Sequence, residues 1–137
     1  MISSRRQGRE AALQLLYLAD VCRLDVEQIP DAALSDEPLA ERTRAFARHL
    51  ASGVMAHHSR INGLVSHHAK NWEMKRMAAV DRCLLRLASF ELLMETDTPV
   101  NVIINEAVEI AKKYSTAESG KFVNGILDKI KEERKIA

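Results

Sequence analysis

Among the 137 residues, the side chains with chemistry to offer are five histidines, two cysteines, scattered carboxylates and an arginine cluster at the start. The histidines are His49, His57, His58, His67 and His68. On a helix a chelating pair needs a spacing of three or four, which none of them has. His57 and His68 share a helical face, but eleven residues of helix separate them by roughly 16 Å. No metal or other cofactor is expected. Cys22 and Cys83 form no CxxC pair; they can make at most one disulfide, and in a reducing compartment they read as small buried apolar residues. No Ser/His/Asp or paired-carboxylate arrangement is legible, so nothing in the sequence demands an enzyme.

The arginines are different. Arg5, Arg6 and Arg9 stand among nine residues that contain no acid. Ser4-Arg5-Arg6-Gln7 has the form of a capping box, so these cations fall in the first turns of a helix, Arg5 and Arg9 one turn apart. The helix dipole favours anions there, at a cost to cations of a few tenths to ~1 kcal/mol. Three bases against that preference suggest a ligand that supplies the negative charge. The rest of the charge is also segregated. Leu24 to Glu41 holds six acids and no base, whereas Arg42 to Arg86 holds nine bases against Glu73 and Asp81. Such runs are either solvated outer faces of helices or a basic surface for nucleic acid beside an acidic one for a basic partner. Composition leaves both open.

These residues need elements to position them. With 47% hydrophobic and 28% charged residues, the chain has material for one domain or two small packed halves. Five Gly and three Pro leave few places to turn, which disfavours an all-β fold. The longest runs free of charged residues and histidine, Ala11 to Ala19 and Thr98 to Asn105, fall well short of the roughly 20 residues of a membrane span. No charged n-region precedes a long apolar stretch, so a soluble, cytoplasmic protein is expected.

Ala12, Leu13, Leu16 and Tyr17 carry the first helix to about Val21. An acidic loop with room for one short helix follows to Asp36. Pro38 suits the first position of a second helix. Phe46, Leu50, Val54, Ile61, Leu64 and Val65 extend its periodicity to about His68, although Gly53 and Gly63 weaken the case for one straight rod. After a connection at Asn71-Trp72, a broadly apolar helix spans about Ala78 to Glu95. Asp97-Thr98-Pro99 turns into a helix capped by Thr98 or Asn101, with Glu109 and Lys113 paired on its outer face. Ser115 to Ser119 makes the last turn before a helix from about Gly120 to Arg134. The expected fold is all-α, with five to seven helices in two small bundles, 1–70 and 71–137, packed into one domain.

Three stretches together resemble one family: Arg5-Arg6-Gln7-Gly8-Arg9-Glu10-Ala11-Ala12-Leu13-Gln14-Leu15-Leu16-Tyr17; Val80-Asp81-Arg82 through Phe90-Glu91-Leu92; and Asn105-Glu106-Ala107-Val108-Glu109-Ile110-Ala111-Lys112 with Phe122-Val123-Asn124-Gly125-Ile126-Leu127-Asp128-Lys129. The pattern is similar to the NusB family of bacterial transcription antitermination factors over nearly the whole chain. The resemblance implies a two-bundle helical fold without catalysis or cofactor. It further implies binding of the single-stranded boxA element of nascent RNA, together with the ribosomal protein NusE, alongside other Nus factors and RNA polymerase. Arg5, Arg6 and Arg9 inherit the family's RNA-binding role. Gly8 departs from the commoner Arg-Arg-x-Ala-Arg-Glu form, and since Gly costs up to ~1 kcal/mol against Ala in a helix, the first turn is expected to order fully only on RNA.

On the last helix Val123, Ile126, Leu127 and Ile130 define a core stripe, with Phe122 about 90° from its centre and Asn124 about 110° away on the other side. With the family in view, Phe122 reads as a platform for a stacked base rather than a flank of the core, and Lys121 and Asn124 join it as RNA-binding residues. Gly125, on the back of that helix, implies a close approach by backbone or ligand. Tyr17 and Asp81 resemble positions that meet the ribosomal protein, and a basic partner would also suit Glu106 and Glu118; each acid can equally be a solvated one. Two rival readings remain. One is a protein-interaction or self-associating domain, monomer or homodimer, in which a dimer masks the arginines. The other is an accessory domain of a ribosomal RNA methyltransferase, for which a chain ending at Ala137 leaves no methyl-donor fold.

Overall fold

Ser3, one residue earlier than the capping box suggested, starts the first helix in the computed structural model, which describes residues 3–70 and 72–134. Its extended backbone (φ −68°, ψ 159°) leaves the hydroxyl to accept from the Arg6 N–H at 3.0 Å, satisfying one of the orphan donors of a helix start. Helix α1 runs Ser4–Cys22 and buries Ala11, Ala12, Leu13, Leu15 and Leu16. It stops where Arg23 turns left-handed (φ 56°). Asn71 of the expected connection lies outside the described residues.

The acidic segment is more structured than the loop expected of it. Two short 3-10 turns, Val26–Gln28 and Asp31–Ala33, form, and Val26, Ile29 and Leu34 enter the core. Arg48 secures the segment by donating to the carbonyls of Val26 and Ile29 and to Asp31 at 2.8 Å. The second helix begins at Glu41 rather than Pro38, and it is two helices: α2, Glu41–Ala56, and α3, His58–His68. The chain bends at His57 (φ −111°, ψ 25°), not at a glycine.

Gly53 serves packing instead. A Cβ there would lie 2.2 Å from Phe90 Cζ. Gly8 repeats the device on α1, where a Cβ would lie 2.5 Å from Phe46 Cδ2 of α2. Each glycine is the seat of an aromatic ring. That overturns the expectation that Gly8 leaves the first turn to order on RNA: the turn is helical from Ser4, and Gly8 is buried under Phe46.

Helix α4, Ala79–Met94, is apolar around most of its girth because it packs against α1, α2, α3, α5 and α6. Pro99 starts α5, Val100–Tyr114, with no side-chain cap from Thr98 or Asn101. Thr116 caps α6, Ala117–Ile130, accepting from the Ser119 N–H at 3.0 Å, so this helix begins three residues before Gly120. The 3-10 turn Lys131–Glu133 follows it. Glu109 pairs with Lys112 at 3.1 Å, while Lys113 reaches across to Glu10 of α1 at 2.9 Å, replacing the expected Glu109–Lys113 pair.

A single apolar cluster joins all six helices, with Leu15, Leu50, Ile61, Leu84, Ile110 and Leu127 at its centre. Three arginines close it. Arg82 and Arg86 of α4 both bind Asp20 of α1, whose carboxyl is pushed up by burial but more strongly down by these partners. Arg134 donates to the carbonyls of Leu92 (2.7 Å), Thr98 (2.8 Å), Glu91 and Glu95, capping the end of α4. Cys83 is buried, its thiol pushed up to about 11, but Cys22 is exposed, against expectation. The fold is all-α: among the described residues there is no strand, and no helix is long and apolar enough to cross a membrane.

Candidate nucleic-acid interface

The start of α1 holds its three arginines in three environments. Arg5 is exposed, with Cζ 4.0 Å from the centroid of the Phe46 ring, a cation–π contact that leaves the guanidinium edges to solvent. Arg6 is half-buried and gives Glu106 of α5 a two-pronged hydrogen bond, Nε to Oε1 at 2.8 Å and Nη2 to Oε2 at 2.5 Å. That pair raises the Arg6 pKa and lowers the Glu106 pKa. Arg9 is only 5% exposed and is bound by Glu91 of α4, itself 2% exposed, at 2.9 to 3.1 Å. Arg9 Nη1 also lies 3.7 Å from Glu106 Oε1, so the two pairs form one network.

This corrects the reading of the arginine motif. The negative charge that three cations at a helix start require comes largely from the chain itself, through Glu106 and Glu91. Arg5 is exposed over the Phe46 ring. Arg6 is engaged by Glu106. Arg9 is not at the surface. No local signal in the sequence could reveal these partners, which lie 100 and 82 positions away. Phe46, on which Arg5 rests, was also missed, although Gly8 in place of Ala already implied a bulky neighbour.

The start of α6 offers a second group. Lys121 is exposed, 3.6 Å from Glu118, and Asn124 is exposed one turn on. Phe122 is half-buried: it packs on the core and also meets Trp72 edge to face, with centroids 5.6 Å apart and planes at 74°. Phe122 thus lies at the edge of the core, partly covered by it and in contact with Trp72. Gly125 has no intramolecular explanation, since a Cβ there would meet nothing within 4 Å.

The residues expected to meet the protein partner stand in different environments. Asp81 is 8% exposed, accepts from Ser119 Oγ at 3.1 Å and keeps Oδ1 buried without a partner. Burial raises its pKa, and the Ser119 bond only partly opposes this. Asp81 is thus neither a solvated acid nor an acid displayed to a basic partner. Glu106 is occupied by Arg6, and Glu118 is exposed beside Lys121. Tyr17 is half-buried in a groove of about 880 Å³, bounded by α1, residues 32–39 and the end of α5. At that end, Tyr114 donates to Glu10 at 2.7 Å.

Fold and site together define an all-helical protein that presents a cationic helix start and a part-exposed aromatic pair, with no metal-binding cluster among its described residues. A family model described as the NusB family matches residues 6–132. The chain belongs to the NusB family. Among its relatives, the transcription antitermination protein NusB of Heliobacterium modesticaldum is 48% identical over 95% of this chain, which spans 63% of that relative's length. The transcription antitermination protein NusB of Geobacter sulfurreducens is 45% identical, with 94% of each chain covered. Among solved structures, T. maritima NusB superposes with a TM-score of 0.87 at 41% identity, over 98% of this chain and 94% of that one. The structure of antitermination factors NusB and NusE in complex with dsRNA has the same fold, with a TM-score of 0.86 at 24% identity over 97% and 99% of the two chains.

Proposed function

We propose that this protein is a transcription antitermination factor that binds the boxA element of nascent RNA together with the ribosomal protein NusE. In this reading it joins other Nus factors and RNA polymerase and promotes read-through, chiefly of ribosomal RNA operons. The observation that carries this is Arg5, a cation held at a helix start by a ring rather than by a carboxylate, in a chain matched almost end to end by antitermination proteins. Arg5 contacts a phosphate first. Arg6 follows when a phosphate replaces Glu106, one two-pronged acceptor for another. Arg9 acts at one remove, holding α1 on α4. Phe122 stacks a base, with Lys121 and Asn124 beside it on the backbone. The protein acts by binding and positioning.

The test is binding of labelled boxA RNA, followed by fluorescence anisotropy, to the chain alone and with NusE. Tighter binding with both proteins than with either alone is expected. Sedimentation in the same buffers distinguishes this from a self-associating domain: a dimer that RNA does not dissociate and that binds no RNA would replace the proposal.

A further inference from the structure

Trp72 is 56% exposed, in the turn between α3 and α4, where its backbone N–H donates to the Ala69 carbonyl at 2.9 Å. A lone apolar side chain at a surface needs no explanation. Trp72 is not alone. Its ring meets Phe122 edge to face at 5.6 Å, and Gly125, one turn beyond Phe122, leaves bare helix backbone beside the pair. Exposed cations lie close to both rings in the sequence: Lys70, Lys75 and Arg76 on the Trp72 segment and Lys121 next to Phe122. Glu73 lies 3.5 Å from Lys75 and 3.9 Å from Arg76, so between residues 70 and 76 three bases face one acid.

We infer that the Trp72 indole stacks a base of single-stranded RNA, forming with Phe122 a two-ring corner that takes consecutive nucleotides. Two planes at 74° cannot both lie against one flat base, so the corner offers separate stacking faces. Cations flanking aromatic faces are what a single strand requires: phosphates are neutralised while bases stack without sequence demand. The indole is the largest such face, and Phe122 braces it at the edge. Gly125 gives the strand room to pass close to α6. A protein partner is disfavoured by the surplus of flexible, strongly hydrated lysines around so small an apolar patch. This inference rests on the RNA-binding reading above and extends it to the far side of Phe122.

Trp72 is the chain's one tryptophan, so intrinsic indole emission reports this residue alone. The full chain is titrated at low salt with unlabelled boxA RNA, and binding is followed separately by anisotropy of the same RNA carrying a label. We expect indole emission to be quenched in step with the anisotropy. Trp72→Ala should weaken binding about 5- to 150-fold, the effect of one lost stack, and Trp72→Phe should retain most of it. RNA that binds by anisotropy while indole emission stays constant overturns the inference and leaves the RNA reading intact. So does a Trp72→Ala chain that binds like the parent. Quenching by NusE in place of RNA also overturns it, assigning the corner to protein. Absence of any anisotropy change in the parent chain removes the RNA reading, and this inference with it.

Discussion

The starts of α1 and α6 both carry residues suited to RNA, yet they are built on opposite plans. At α1 the functional groups are tied down: Arg6 by Glu106, Arg9 by Glu91, and Arg5 on a ring. At α6 they are merely displayed, with Phe122 leaning on the core and Lys121 and Asn124 in solvent. The difference follows from cost. Three cations at the positive end of a helix repel one another and the dipole, so they need anions before any ligand arrives. An aromatic ring and an amide need none. Under the proposed function a phosphate at α1 must partly replace the carboxylates already there, whereas the ring and amide of α6 have none to replace.

The strongest way to break this comparison is Glu91→Ala. It leaves Arg9 buried without its partner, and we expect a loss of about 3–5 kcal/mol in urea unfolding. A midpoint near that of the parent would mean Arg9 is not held as described. Gly8→Ala comes next. Alanine is the better helix former by up to ~1 kcal/mol, but its Cβ meets the Phe46 ring, and overpacking costs about 1–3 kcal/mol. A net loss is expected, recovered when Phe46→Leu is added, and a double-mutant cycle measures the coupling.

On the α6 side, Phe122→Ala should cost about 1–3 kcal/mol of RNA affinity. Its folding penalty should fall below the 3–5 kcal/mol of a fully buried Phe, and Phe122→Tyr should bind as the parent does. Wild-type affinity in the Ala chain would reduce α6 to scaffolding. Arg5→Ala should flatten the log–log salt dependence of RNA binding by about 0.7, one phosphate on a single strand, whereas Arg9→Ala should leave the slope alone. Equal changes in both would erase the distinction drawn within α1.

The smallest effect concerns Asp81, which Ser119 ties to the first turn of α6. Its pKa is raised by burial, so the folded state disfavours the ionised form. The penalty is present at neutral pH and disappears as pH falls below the carboxyl's range in both states. Asp81→Asn keeps an acceptor for Ser119 and should match or exceed parent stability at pH 7, the gain fading in acid. Glu106 has the opposite sign: its pKa is lowered by Arg6, so its contribution is present above the ordinary carboxylate range and is lost as pH falls through the depressed value.

Helix number, the all-α class and the stripe of Val123, Ile126, Leu127 and Ile130 were legible in the sequence because periodicity is a local property. The bend at His57 was not, since the apolar spacing runs across it unbroken. Nor was the fate of the arginines. Their types announced cations at a helix start, but whether a ligand or the chain supplies the anion depends on Glu91 and Glu106, which only the tertiary fold brings near. The burial of Asp81 against Ser119 was not legible for the same reason: neither resemblance nor charge says what packs on an acid. The rings of Phe46 and Phe90 left one trace, a glycine opposite each, and at Gly8 that trace was read as flexibility.

Arg134 gathers the carbonyls that end α4, and the residues it joins lie 36 to 43 positions apart. This sets a schedule. During synthesis the end of the central helix emerges some forty residues before its cap, and at ~5–20 residues per second the interval is roughly two to eight seconds. Until then the Glu91 and Glu95 carbonyls have only the N–H groups of Glu95 and Thr98, and the bonds from Arg134 are missing. The helix that touches every other one is the last to be closed.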